Sequence, residues 1–193
     1  LDSAIRVLID RYRGRLKNSD PGAVYFAVIY ELVDHEVELQ ESIFSLLLFL
    51  TEGGRQKALK IVIERSNAPV ILKAALRWIR EFPWEIHRHR LYRVAHRRVK
   101  RELLEKMKEN RQYALDLIPE FPLNYQIKIY KFIIRSIFPH HSLRIRAVRK
   151  IHSLPAPWDL VLAERILRLR DSDEKMILAL LEQFKEFSEA VKP

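Results

Sequence analysis

The chain has 193 residues, is 48% hydrophobic and carries 35 lysines and arginines against 25 acids, a formal net charge of +10; this suffices for one continuous core over 1–193 and favours an acidic partner: nucleic acid, an anionic membrane or an acidic protein surface. Four glycines against nine prolines, with no low-complexity tract, argue against long flexible linkers and against a β-rich fold of tight turns. The absence of cysteine removes disulfides, thiolate metal sites and cysteine nucleophiles together, and is compatible with a reducing, cytoplasmic setting.

Helix signals recur from end to end and predict about eleven helices. The first spans about 2–17 and puts Ile5, Leu8, Ile9, Tyr12 and Leu16 on one stripe. Asp20-Pro21 then offers an N-cap followed by proline at the first helical position, opening a second helix through Val33. That helix is nearly all apolar from Ala23 to Tyr30 and should be buried on most sides. A third, from Glu36 to Leu50, is expected to stop before Gly53-Gly54 in a left-handed C-terminal turn. Helices at about 55–66 and 69–81 follow, parted at Asn67 ahead of Pro69. After Pro83 a long basic segment to about Asn110 keeps Leu91, Ala95, Val99 and Leu103 in an i, i+4 seam, and a short helix ends near Pro119.

The last four helices are predicted at about 122–137, 140–153, 157–170 and 172–191, the final one with Ser172, Asp173 and Glu174 at its positive N-terminal end. Tyr125-Gln-Ile-Lys-Ile and Lys60-Ile-Val-Ile-Glu are rich enough in β-branched residues to read locally as strands. A lone strand would have nothing to pair with, so the helical flanks decide. The longest apolar run, Ile43 to Leu50, is broken by Ser45 and falls far short of the ~20 residues of a membrane-spanning helix. The chain opens on Leu1 with no signal peptide, as an excised or processed portion of a longer protein would.

Glu81-Phe82-Pro83 returns as Glu120-Phe121-Pro122, and Pro139, Pro155 and Pro157 punctuate the chain at about one-helix intervals, the spacing of stacked helical hairpins. His141-Ser-Leu-Arg-Ile-Arg-Ala-Val-Arg-Lys-Ile, and the pair 157–170 with 172–191, resemble the paired helices of HEAT and armadillo repeat proteins. The resemblance implies an all-α fold, an α-solenoid of stacked antiparallel helix pairs, and brings no catalytic motif with it.

From His87 to Arg101 the chain carries Arg88, Arg90, Arg93, Arg97, Arg98, Lys100 and Arg101 without one acid, and Arg90, Arg93, Arg97 and Arg101 share a helical face. Arg144, Arg146, Arg149 and Lys150 form a second group, with Arg165, Arg168 and Arg170 beyond it; stacked pairs would align these into one stripe. The plainer reading is a solvated face whose arginines pair with acids of adjacent helices. Glu31, Asp34, Glu36, Glu38, Glu41 and Glu52 gather with no lysine or arginine among them, which suits head-to-tail contacts, a bipartite partner or simple solubility.

Glu85 and His89, His89 and His96, and His140-His141 are the pairs to weigh as metal ligands. No His-Glu-x-x-His accompanies them and the surrounding arginines repel a divalent cation, so no metal and no cofactor is expected. Trp78, Trp84 and Trp158 fall near turns, where a tryptophan closes the gap between hairpins or, partly exposed, stacks on a base or anchors a peptide. Trp158-Asp159 resembles the tryptophan and aspartate of helical-repeat DNA glycosylases of the AlkD type, which implies a basic concave face and base excision. There is no glycine-rich phosphate loop and no Gly-x-Ser-x-Gly elbow. The leading expectation is a non-enzymatic, cytoplasmic scaffold or adaptor that offers the two basic groups, with Trp84 and Trp158, to an acidic protein. Nucleic-acid binding by the same stripe and attachment beside an anionic membrane are the alternatives.

Overall fold

The computed structural model describes residues 3–168, apart from 18, 36, 83, 84, 105–107, 136–140 and 152, together with 178 and 182. Among these the chain is all-helical, with no strand. In order come α1 (Ser3–Arg15), α2 (Pro21–Leu32), α3 (Val37–Leu47), α4 (Glu52–Arg65), α5 (Pro69–Arg80), α6 (Glu85–Leu104), α7 (Lys108–Asp116), a 3-10 turn (Ile118–Glu120), α8 (Leu123–Arg135), α9 (His141–Ile151) and α10 (Trp158–Leu167). The sequence anticipates the ten α-helices in this order, but it runs α6 on to about Asn110 and does not foresee the 3-10 turn; of the helix predicted over 172–191 only residues 178 and 182 are described, and both are helical.

The chain divides into two compact units, Leu1–Arg98 and Val99–Pro193, with the boundary inside α6. In the first unit α2 packs on α1, α3 and α4, and α5 packs on both α3 and α4. The composition of α2 explains its place: Val24, Val28, Ile29 and Leu32 are buried and Tyr25, Phe26 and Ala27 half-buried, so apolar surface is withdrawn from water on most sides. Tyr30 is its exposed exception, and its ring takes the Arg65 guanidinium at 4.2 Å. In the second unit α9 packs on α7, α8 and α10, α8 also meets α10, and the 3-10 turn touches α7 and α8.

Both segments that are locally strand-like are helical. Ala58, Leu59, Val62 and Ile63 of α4, and Ile129, Tyr130, Ile133 and Ile134 of α8, are buried at helical spacing, so packing overrides β propensity. The two Glu-Phe-Pro copies also do one job. Phe82 and Phe121 are buried, and their amides donate to Ile79 O (3.2 Å) and Ile118 O (3.1 Å), plugging the exit of a helical turn.

One predicted device is wrong. Gly53-Gly54 do not stop α3: they lie in the first turn of α4, capped by Thr51 Oγ1 accepting from Gly54 N at 3.3 Å, and no glycine among the described residues has a positive φ. Arg55 supplies the stop. Its Nε donates to Leu47 O and Leu50 O at 3.0 Å and its Nη2 to Leu48 O at 3.2 Å, reinforcing Leu47 O, which also accepts from Leu50 N at 3.1 Å, and supplying donors to two carbonyls beyond the end of α3. Asp20 does hold the N-cap of α2 ahead of Pro21, but its side chain makes no capping hydrogen bond.

Candidate partner-binding face

Helix α6 takes its shape from two opposed stripes. Leu91, Tyr92, Ala95, Val99 and Leu103 are all buried, which is the i, i+4 seam read from the sequence with Tyr92 added. Opposite them, Ile86, Arg90, Arg93 and Arg97 are exposed and fall within about 60° of one another around the helix axis. All belong to the first unit; Arg101, also exposed, begins the last turn of α6 in the second. Among the described residues no ion pair involves Arg90, Arg93 or Arg97.

The other basic residues singled out by the sequence are placed differently. Arg98, grouped there with the partner-facing arginines, is only 8% exposed and donates from Nη1 to Ile63 O at 2.5 Å. It sits on the buried side of α6, and its charge meets the negative C-terminal end of α4. Arg88 is half-buried. Lys100 is half-buried too, its Nζ 4.6 Å from the Phe132 ring centroid.

In the second unit Lys150 pairs with Asp116 at 2.5 Å and Arg149 with Glu182 at 3.9 Å, while Arg144 is half-buried and engaged within the fold. Arg146 is exposed. Farther on, Arg168 pairs with Glu164, and Arg170 lies outside the described residues.

The acidic stretch is less acidic in space than in sequence, because other helices lend it cations. Glu31 accepts from Tyr12 Oη at 2.7 Å and from Arg11 Nη1 at 3.4 Å, and Asp34 pairs with Arg65. The Glu31 hydrogen bond, with burial and the carboxylate charge behind it, raises the Tyr12 phenol above its ordinary value. Glu38 and Glu41 are exposed on α3, and Glu36 lies outside the described residues.

Trp78 is half-buried and stacks on Phe44 with ring centroids 6.3 Å apart, joining α3 to α5. Trp158 is half-buried at the start of α10, with Lys131 Nζ 5.8 Å from its ring centroid and Asp159 beside it. Trp84, His140 and the side chain of His141 lie outside the described residues. Among the described residues no three His, Asp or Glu side chains converge as a metal site requires, and no helix is long and apolar enough to cross a membrane. An open pocket of about 290 Å³ at the α1–α2 junction is walled by Arg13, Lys17 and Tyr25, and one of about 300 Å³ between the starts of α2 and α4 by Asp20, Phe26 and Lys57.

No protein family, curated protein or solved structure matches this chain. Among the described residues Ile86, Arg90, Arg93 and Arg97 form an exposed ridge on α6. Sequence reasoning passed over Ile86 at the head of that ridge. The signal was present: Ile86 stands four residues before Arg90, on the charged side of a helix whose Leu91, Tyr92, Ala95, Val99 and Leu103 are buried.

Proposed function

We propose that this chain is a non-enzymatic, cytoplasmic scaffold or adaptor of the HEAT or armadillo kind, presenting the arginine ridge of α6 to an acidic protein. The observation that carries the reading is the exposure of Arg90, Arg93 and Arg97 on one side of a single helix, in a molecule where Arg11, Arg55, Arg65, Arg98 and Lys150 are all spent on internal contacts. The stacked-pair reading is supported by three helices that pack on both the next and the one after: α2 with α3 and α4, α3 with α4 and α5, α8 with α9 and α10. The paired exits at Phe82 and Phe121 add to it.

The test is a fluorescence titration of a glutamate-rich peptide and of random-sequence duplex DNA, at two salt concentrations, against the native chain and the Arg93→Glu, Arg97→Glu variant. The peptide is expected to bind with salt-sensitive affinity and to lose at least about tenfold on charge reversal, with helicity by circular dichroism unchanged. Peptide binding indifferent to the reversal would reject the ridge. Steeply salt-dependent binding of duplex DNA, tighter than that of the peptide, would move the assignment to nucleic acid.

A further inference from the structure

Resting on that reading, we infer that the partner segment is an amphipathic acidic α-helix, docked along α6 so that an apolar side chain covers Ile86 while three carboxylates meet Arg90, Arg93 and Arg97. Three features of the ridge lead there.

The first is Ile86 itself, 68% exposed. A single exposed aliphatic residue is ordinary on a protein surface. This one is continuous with the arginines: positions 86, 90, 93 and 97 step by four, three and four residues, the period that keeps one line of side chains on a helix. A purely electrostatic target, such as a phosphate backbone, offers Ile86 nothing to pack against. A protein segment carrying one apolar residue in line with its acids satisfies the whole ridge.

The second is spacing. From Ile86 to Arg97 the ridge rises about 17 Å, with steps of about 4.5 and 6 Å. A partner helix repeats its side chains at the same intervals and so stays in register over every step. An extended peptide places same-side residues every ~6.7 Å and is out of step by about 3 Å after three of them. Two helices crossing at a shallow angle of about 20° remain in contact over this length.

The third is the chemistry of the cations. Guanidinium groups take carboxylates through paired N–H donors, giving directional contacts where lysines would provide only point charges. Among the described residues Arg90, Arg93 and Arg97 have no acid across from them. A partner's acids therefore displace no ion pair among the described residues.

Two helix-favouring peptides of identical composition separate this inference from the broader reading. One carries three glutamates and a leucine at the spacing of the ridge; in the other the same residues alternate, so that no helical face collects them. The in-register peptide is expected to bind the native chain about tenfold more tightly, a difference of about 1.4 kcal/mol. The Ile86→Ser variant should lose most of that preference while keeping its affinity for the scrambled peptide; at so exposed a position its fold is expected to hold, and circular dichroism checks this.

Equal affinities for the two peptides would overturn the helical partner and leave the acidic-protein reading standing. Binding of neither would overturn both. A ridge-dependent dimer seen by light scattering, and not dispersed by the in-register peptide, would assign the ridge to a second copy of the chain and likewise reject the proposal.

Discussion

Arg55 shows how much one side chain decides here. The end of α3 is exposed at Leu48 and Phe49, and a fan of hydrogen bonds from one guanidinium to three carbonyls joins the backbone bonds of Leu48, Phe49 and Leu50 in closing it. Arg55→Ala is expected to lower stability by about 1–2 kcal/mol in urea unfolding, and Arg55→Lys should not restore it, because an ammonium group cannot reproduce the planar fork. Tyr130 makes a second residue-scale prediction. Burial pushes its phenol up to about 12 from an ordinary 10, so the folded state holds that proton over a range in which the unfolded chain releases it. Stability from this group is intact below pH 10 and falls by about 1.4 kcal/mol per pH unit between 10 and 12. Unfolding of Tyr130→Phe at pH 8 and pH 11 should therefore show a smaller alkaline loss than the native chain; equal losses would reject the burial argument.

At the scale of the element, helix ends decide more than helix interiors. The first turn of α4 carries two adjacent glycines in different surroundings. A Cβ at Gly53 would meet nothing within 4 Å, whereas one at Gly54 would lie 3.2 Å from Leu50 Cβ and 3.3 Å from Thr51 Oγ1. Gly53→Ala should raise stability by about 0.5 kcal/mol through the lower entropy of the unfolded chain, measurable as a higher Tm. Gly54→Ala should gain less or lose, because Leu50 and the capping hydroxyl must shift. The interior of α6 illustrates the other half: its buried and exposed stripes were plain in the sequence as a period of Leu91, Ala95, Val99 and Leu103 against Arg90, Arg93 and Arg97.

For the whole molecule, the net charge of +10 sets the average sign of the surface but not where its free cations lie. Folding does the sorting. It draws Arg11 and Arg65 to Glu31 and Asp34, Lys150 to Asp116 and Arg98 into the interior, and leaves the α6 ridge exposed. Ridge binding should accordingly weaken with salt, since the exposed arginines lie within reach of screening ions, while Arg98, buried and bonded to a carbonyl, is shielded from them. A fold that held against salt while peptide affinity fell would separate these two populations of arginine.

The helices, their order and most of their limits were legible because they depend on neighbours three or four residues away: Pro21 and Pro69 open helices, and apolar residues recur once per turn. Tertiary structure alone decided that Arg98 is internal and that Glu31 and Asp34 of the acidic stretch are paired with arginines of other helices. Those outcomes turn on groups such as Ile63 and Arg98, brought together by packing across 35 residues of chain. Local periodicity shows that a residue is basic and which side of a helix it occupies; it contains no record of what the fold sets opposite.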